Sequence, residues 1–169
     1  MYLLTHLNLC VRHRLLAMPP GTRVASHHYT MGDWKPDQSV EVNGRDVHAW
    51  IVPARVDGIW DFRDSQGATF SVDLRQSFEA LSGEVTRNGL LEPLGPATLR
   101  GIELRFTFGP EGAPIKFSGT VRGEEITGVL SAGTATSTAA RTVTGKLRGP
   151  LRFAPWAEMP PDCRQYYDR

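Results

Sequence analysis

Two adjacent histidines, His27 and His28, and a carboxylate beside an indole, Asp33 and Trp34, are the side chains best suited to chemistry. A histidine near neutral pKa can take a proton from an amine or hydroxyl as that group is made nucleophilic. Consecutive strand residues face opposite ways, so the two histidines are poor joint metal ligands, and no third ligand stands near them. Asp33 next to Trp34 could hold an amine-bearing substrate between charge and ring. The structural alternative is a turn-forming Asp and a loop-anchoring Trp. Asn8 reads either as a pocket residue or as a helix N-cap. No Gly-x-Ser-x-Gly elbow, Cys-x-x-Cys pair or phosphate loop occurs, and Glu124-Glu125 reads as a charged turn.

These residues sit on a readable stretch. Tyr2-Leu3-Leu4 looks like a strand end. Leu7, Cys10, Val11, Leu15, Leu16 and Met18 recur at helical spacing, which predicts a helix over Leu7–Met18. Pro19-Pro20-Gly21 stops it. Thr22 to Tyr29 reads as a buried strand, Gly32 to Gly44 as a loop, and Val47 to Val52 as a strand ended by Pro53. A strand–helix–strand order is the unit of a parallel α/β sheet, whose ligands sit beyond the carboxyl ends of its strands. A strand beginning at Met1 starts in mid-element, so the chain reads as the C-terminal part of something longer.

Tyr2-Leu3-Leu4, Leu7-Asn8-Leu9, Arg14-Leu15-Leu16, Pro20-Gly21-Thr22-Arg23, Ser26-His27 and Met31-Gly32-Asp33-Trp34-Lys35-Pro36-Asp37 together resemble one family. It is the bacterial class I S-adenosylmethionine-dependent methyltransferases, distantly similar to protein-lysine methyltransferases. The likeness is strongest over the first third of the chain and departs from the family at Thr5, His28 and Thr30. It implies that Tyr2, Asn8, His27, Asp33 and Trp34 line the site of a methyl acceptor, a protein among the options. It also implies S-adenosyl-L-methionine as cofactor, held by an Asp-x-Gly-x-Gly turn that this sequence lacks. The chain alone is then expected to be inactive, with no catalytic, cofactor-binding or metal-binding residue of its own, and with another chain as one way to complete its sheet.

From Val56 the texture changes. Phe70, Val72 and Leu74 alternate with polar residues, as do Ile102, Leu104, Phe106 and Phe108, then Ile115, Phe117, Gly119 and Val121. Period two predicts half-buried antiparallel strands. Thr134–Thr144 reads as either a flexible loop or a strand with a poor apolar face. The expected fold class is α+β: a C-terminal remnant of a Rossmann-like methyltransferase sheet over residues 1–54, then an antiparallel β meander or partly closed barrel over 55–148. An irregular tail over 149–169 follows. The alternative function is a non-catalytic, lipocalin-like barrel that binds a small apolar ligand or a partner protein.

At 169 residues and 18.7 kDa the chain can bury a core. A net charge of +1 gives no global field to recruit nucleic acid. No apolar run reaches the ~20 residues of a membrane span. His6, Asn8 and Arg12 interrupt the N-terminal apolar stretch, so it is not a signal peptide. Cys10 and Cys163 are far apart and differently placed, so they read as neither a disulfide framework nor a metal-ligand cluster; a reducing compartment fits them without being required, and the cytoplasm is the expected location.

Overall fold

The computed structural model describes residues 4–134 and 137–166. The chain forms two compact units, one from residues 1–53 and 154–169, the other from residues 54–153.

In the first unit α1 (Thr5–Leu16) starts earlier than its apolar spacing predicts and ends before the two prolines, with the Ala17 amide bonded to the His13 carbonyl at 3.1 Å. Its deepest residues are not the leucine stripe but Asn8, Cys10 and Arg12. Three strands follow: β1 (Arg23–His27), β2 (Gln38–Val42) and β3 (Arg45–Ile51). Asn43 and Gly44, at φ 52° and 73°, make a two-residue hairpin turn, the geometry Asn-Gly favours. That turn folds β3 back along β2 and between it and β1, giving the order β1-β3-β2 with both pairings antiparallel.

This overturns the Rossmann-like remnant. Every strand pairing among the described residues is antiparallel. Strands make up 53% of the chain and helix 13%, so the protein is mostly β rather than α+β. The helix-then-strand order suggested a parallel crossover, but the Asn-Gly hairpin sets the pairing instead. The expected loop over Gly32–Gly44 contains all of β2, whose five residues are exposed and so leave no alternating burial signal.

The second unit is a nine-stranded, curled half-barrel. Its strands are β4 (Gly58–Asp64), β5 (Thr69–Ser77), β6 (Ala80–Arg87), β7 (Leu90–Pro93), β8 (Ala97–Arg100), β9 (Glu103–Phe108), β10 (Ile115–Arg122), β11 (Glu125–Thr134) and β12 (Ser137–Arg148). They lie in the order β7-β6-β5-β4-β12-β11-β10-β9-β8. Two runs of hairpins are joined where β12 pairs with β4, Val143 opposite Asp64 and Arg148 opposite Ile59. The link after β7 laces the two flanks together: the Leu94 amide bonds to the Gly83 carbonyl of β6, and the Gly95 amide to the Thr107 carbonyl of β9.

Alternation puts Trp60, Phe62, Phe70, Val72, Leu74, Leu104, Phe106, Phe117 and Ile126 inside. The rings fill that space. Phe62 stacks on Phe70 with centroids 4.9 Å apart, and Phe106 stacks on Phe117 at 4.6 Å. Opposite Phe62 on β12 is Gly145, where a Cβ would lie 2.5 Å from the Phe62 ring. Of the Thr134–Thr144 stretch, residues 135 and 136 lie outside the described residues, and residues 137 onward belong to β12.

The tail contains two short 3-10 turns, Pro155–Ala157 and Pro161–Tyr166. It is covalently fixed: Cys163 is bonded to Cys10 of α1, with an S–S distance of 2.03 Å. The expectation that these two cysteines make no disulfide framework is therefore wrong. Sequence separation says nothing about proximity when the intervening residues form a self-contained unit. No described helix is long and apolar enough to cross a membrane.

Candidate functional site

Four of the five sequence-predicted site residues lie in the first unit; Tyr2 lies outside the described residues. Asn8 is fully buried on α1, in mid-helix rather than at its N-cap, which is Leu4. Its Nδ2 lies within 3.3 Å of the Ser26 Oγ on β1, 3.2 Å of the Tyr29 carbonyl and 3.1 Å of the Thr30 carbonyl. One turn on, Arg12 faces the same way. Its Nη1 donates to the Met31 carbonyl at 2.9 Å and to the Asp33 carboxylate, with which it forms an ion pair. A helix amide and a helix guanidinium thus bind the chain that leaves β1.

The Gly-Asp-Trp loop is shaped by the same contacts. Gly32 adopts φ 68°, and a Cβ there would meet the Leu9 side chain at 2.7 Å. Trp34 is 1% exposed, so it cannot form a pocket wall open to substrate. Its carbonyl accepts from the Trp50 indole N–H at 2.9 Å, and the two rings lie 6.0 Å apart. Asp33 is largely exposed. Its surroundings push its carboxyl up, but the hydrogen bond and charge of Arg12 outweigh this and hold it below the usual carboxylate range. Asp37 closes the loop by accepting from the Ile51 amide at 2.7 Å.

His27 ends β1 opposite Val47 and is half-buried. His28 is not on the strand. It adopts φ 70° and meets the Tyr29 ring edge-on at 4.9 Å. Asn8, Asp33 and Trp34 are therefore brought together as a lock of α1, β1 and the following loop, with only the Asp33 carboxylate well exposed. Among the described residues no group of three His, Cys, Asp or Glu could hold a metal ion.

Sequence reasoning missed Arg12, the residue that orients Asp33. The signal was present: Asn8 and Arg12 are four apart, on one face of a helix otherwise rich in leucine. It also missed the Asp57–Arg152–Asp73 cluster of the second unit. Arg152 bridges the two carboxylates at 3.1 Å and 2.7 Å and donates to the Leu74 carbonyl at 2.8 Å. Nearby Gln76, nearly buried, donates to the carbonyls of Ala54 and Phe78 and accepts from the Val56 amide. These contacts pin the segment after β12 against the start of β4 and the end of β5.

No protein-family description, curated protein or solved structure matches the chain.

Proposed function

We propose that this chain is a non-catalytic, C-terminal part of an S-adenosylmethionine-dependent methyltransferase, serving it as scaffold. One observation supports the reading. Residues through which the chain resembles those methyltransferases are held in one lock: Asn8 binds Ser26 and the following loop, Arg12 of the same helix holds Met31 and Asp33, and Trp50 of β3 holds Trp34. On this reading S-adenosyl-L-methionine and the reacting methyl group belong to residues outside this sequence, and the acceptor, a protein among the options, meets them there. Photo-crosslinking of labelled S-adenosylmethionine to the protein purified from its source cell tests this. The expected label falls on a polypeptide larger than 18.7 kDa that contains this sequence, or on a chain that copurifies with it. An unlabelled 18.7 kDa product purified alone sinks the proposal.

The cytoplasm is the compartment in which such an enzyme would work, and a disulfide is unusual there. Cys10 and Cys163 are 5% and 1% exposed, so burial shields the bond from dithiols once it has formed. Alkylation of acid-quenched cells decides the matter: two alkylated thiols fit the cytoplasm, and none fits an oxidising compartment.

A second reading, a β module that binds a partner protein, is favoured by the filled interior of the half-barrel. Stacked phenylalanines occupy the space a lipocalin-like apolar ligand would need, which leaves the outer face as the binding surface. The full chain should then take up no uncharged fluorescent apolar probe. Uptake at a fixed stoichiometry would restore an interior ligand.

A further inference from the structure

The outer face of the half-barrel carries a cleft of about 880 Å³, open to solvent, over β6, β5, β4 and β12. The outside of a curled sheet is normally convex; here the Asn88-Gly89 turn between β6 and β7 forms one border of a hollow. Two rows of side chains cross its floor, set by strand register. One runs Thr86, Ser71, Asp61, Lys146 from β6 to β12, and the register carries it on past the cleft's border to Leu91 of β7. The other runs Thr69, Arg63, Thr144.

The charges lining the cleft are unevenly used. Arg148 is committed, donating to both oxygens of Asp61 and at 3.0 Å to the Ser71 hydroxyl. Arg63 is exposed and makes no ion pair or hydrogen bond to another described side chain; it stands between the hydroxyls of Thr69 and Thr144. Lys146 is also exposed. It lies opposite Asp61 on one side and Glu125 on the other, with no ion pair to either. An unpaired guanidinium flanked by two hydroxyls on a rigid sheet offers a planar fork of donors, the geometry that fits a tetrahedral or planar oxyanion. At the far end of the first row Leu91 is 65% exposed on the same face, opposite Thr86. Three strand spacings, about 14 Å, separate Leu91 from Asp61, beside Arg63.

We propose that this cleft binds a small amphiphilic anion, its phosphate or carboxylate head on Arg63, Thr69 and Thr144 with Lys146 near, and its alkyl chain lying across the β5–β6 floor to Leu91. The site is independent of the lock on α1 and of any methyl transfer, so it stands or falls apart from the scaffold role.

The test uses the full chain and monomeric decyl phosphate, with inorganic phosphate and decanol as head-only and tail-only probes, by isothermal titration calorimetry. Decyl phosphate is expected to bind saturably and more tightly than either part. Arg63→Gln should weaken it at least about tenfold. Leu91→Ser should weaken decyl phosphate but not inorganic phosphate. Arg75→Gln, an exposed cation on the same sheet outside the cleft, should change nothing. All three substitutions are at exposed positions, and near-ultraviolet circular dichroism verifies their folds. Absence of saturable binding by the wild type, or unchanged binding by Arg63→Gln, overturns the site. Equal affinity for decyl and inorganic phosphate, or an unaffected Leu91→Ser, overturns the amphiphilic ligand.

Discussion

Asn8 shows how a single amide can hold a loop. Its Nδ2 serves two backbone carbonyls of the chain that leaves β1, those of Tyr29 and Thr30. Asn8→Ala removes three hydrogen bonds of a buried amide, to Ser26, Tyr29 and Thr30, which should cost about 1–3 kcal/mol of stability in urea denaturation. Asp64 does a similar job at the β4–β5 turn, where its Oδ1 accepts from the amides of Gln66 and Ala68 and its Oδ2 from Arg141. Burial pushes that carboxyl up, but the two amides and Arg141 together pull it below the usual range. A folded pKa below the unfolded value of about 3.9 means the contribution is complete above that pH and is lost as pH falls through the lower, folded pKa. Denaturation midpoints of the wild type should therefore drop more steeply between neutral and strongly acidic pH than those of Asp64→Asn. Parallel curves for the two would remove Asp64 from the account. At this scale the sequence was half legible. Asp33 and Trp34 were visible as a pair, but only burial separates an anchor from a substrate wall, and burial depends on chain that folds over from elsewhere.

At the scale of elements, period-two alternation located the strands around Phe70–Leu74 and Leu104–Phe108 because each has one wet and one buried face. β2 escaped since both of its faces are exposed. β12 was ambiguous since its inward positions include Gly145, a residue with no side chain to signal burial. Strand order was not legible at all: the β12–β4 pairing joins residues about eighty to ninety apart, and nothing local encodes it. Gly145 is explained only by that pairing. Gly145→Ala would put a methyl group into the Phe62 ring, which is itself held against Phe70, and overpacking of this kind costs about 1–3 kcal/mol. Gly112→Ala, in open space in the β9–β10 loop, should be neutral within about 0.5 kcal/mol. A thermal melt of each variant checks the contrast, and an unperturbed Gly145→Ala would mean the aromatic stack can yield.

At the scale of the whole molecule the decisive feature is the Cys10–Cys163 bond, which spans 153 residues. Cross-links closing long loops stabilise by about 2–5 kcal/mol, chiefly by restricting the unfolded chain. Cys163→Ser should therefore lower the unfolding midpoint reported by Trp34 and Trp50 fluorescence, and adding reductant to the variant should change it no further. The bond also has a topological meaning. Residues 54–153 leave and return at neighbouring points, since the Arg152 amide bonds to the Asp57 carbonyl and the Arg55 guanidinium to the Arg152 carbonyl. The β unit is thus an excursion whose ends meet, and the chain from Cys10 to Cys163 is a covalent ring. A protease that nicks the exposed Gly109–Gly112 loop would open the ring without parting the molecule. The cut protein would keep its full mass on a non-reducing gel and fall into two pieces only when the sulfurs are reduced.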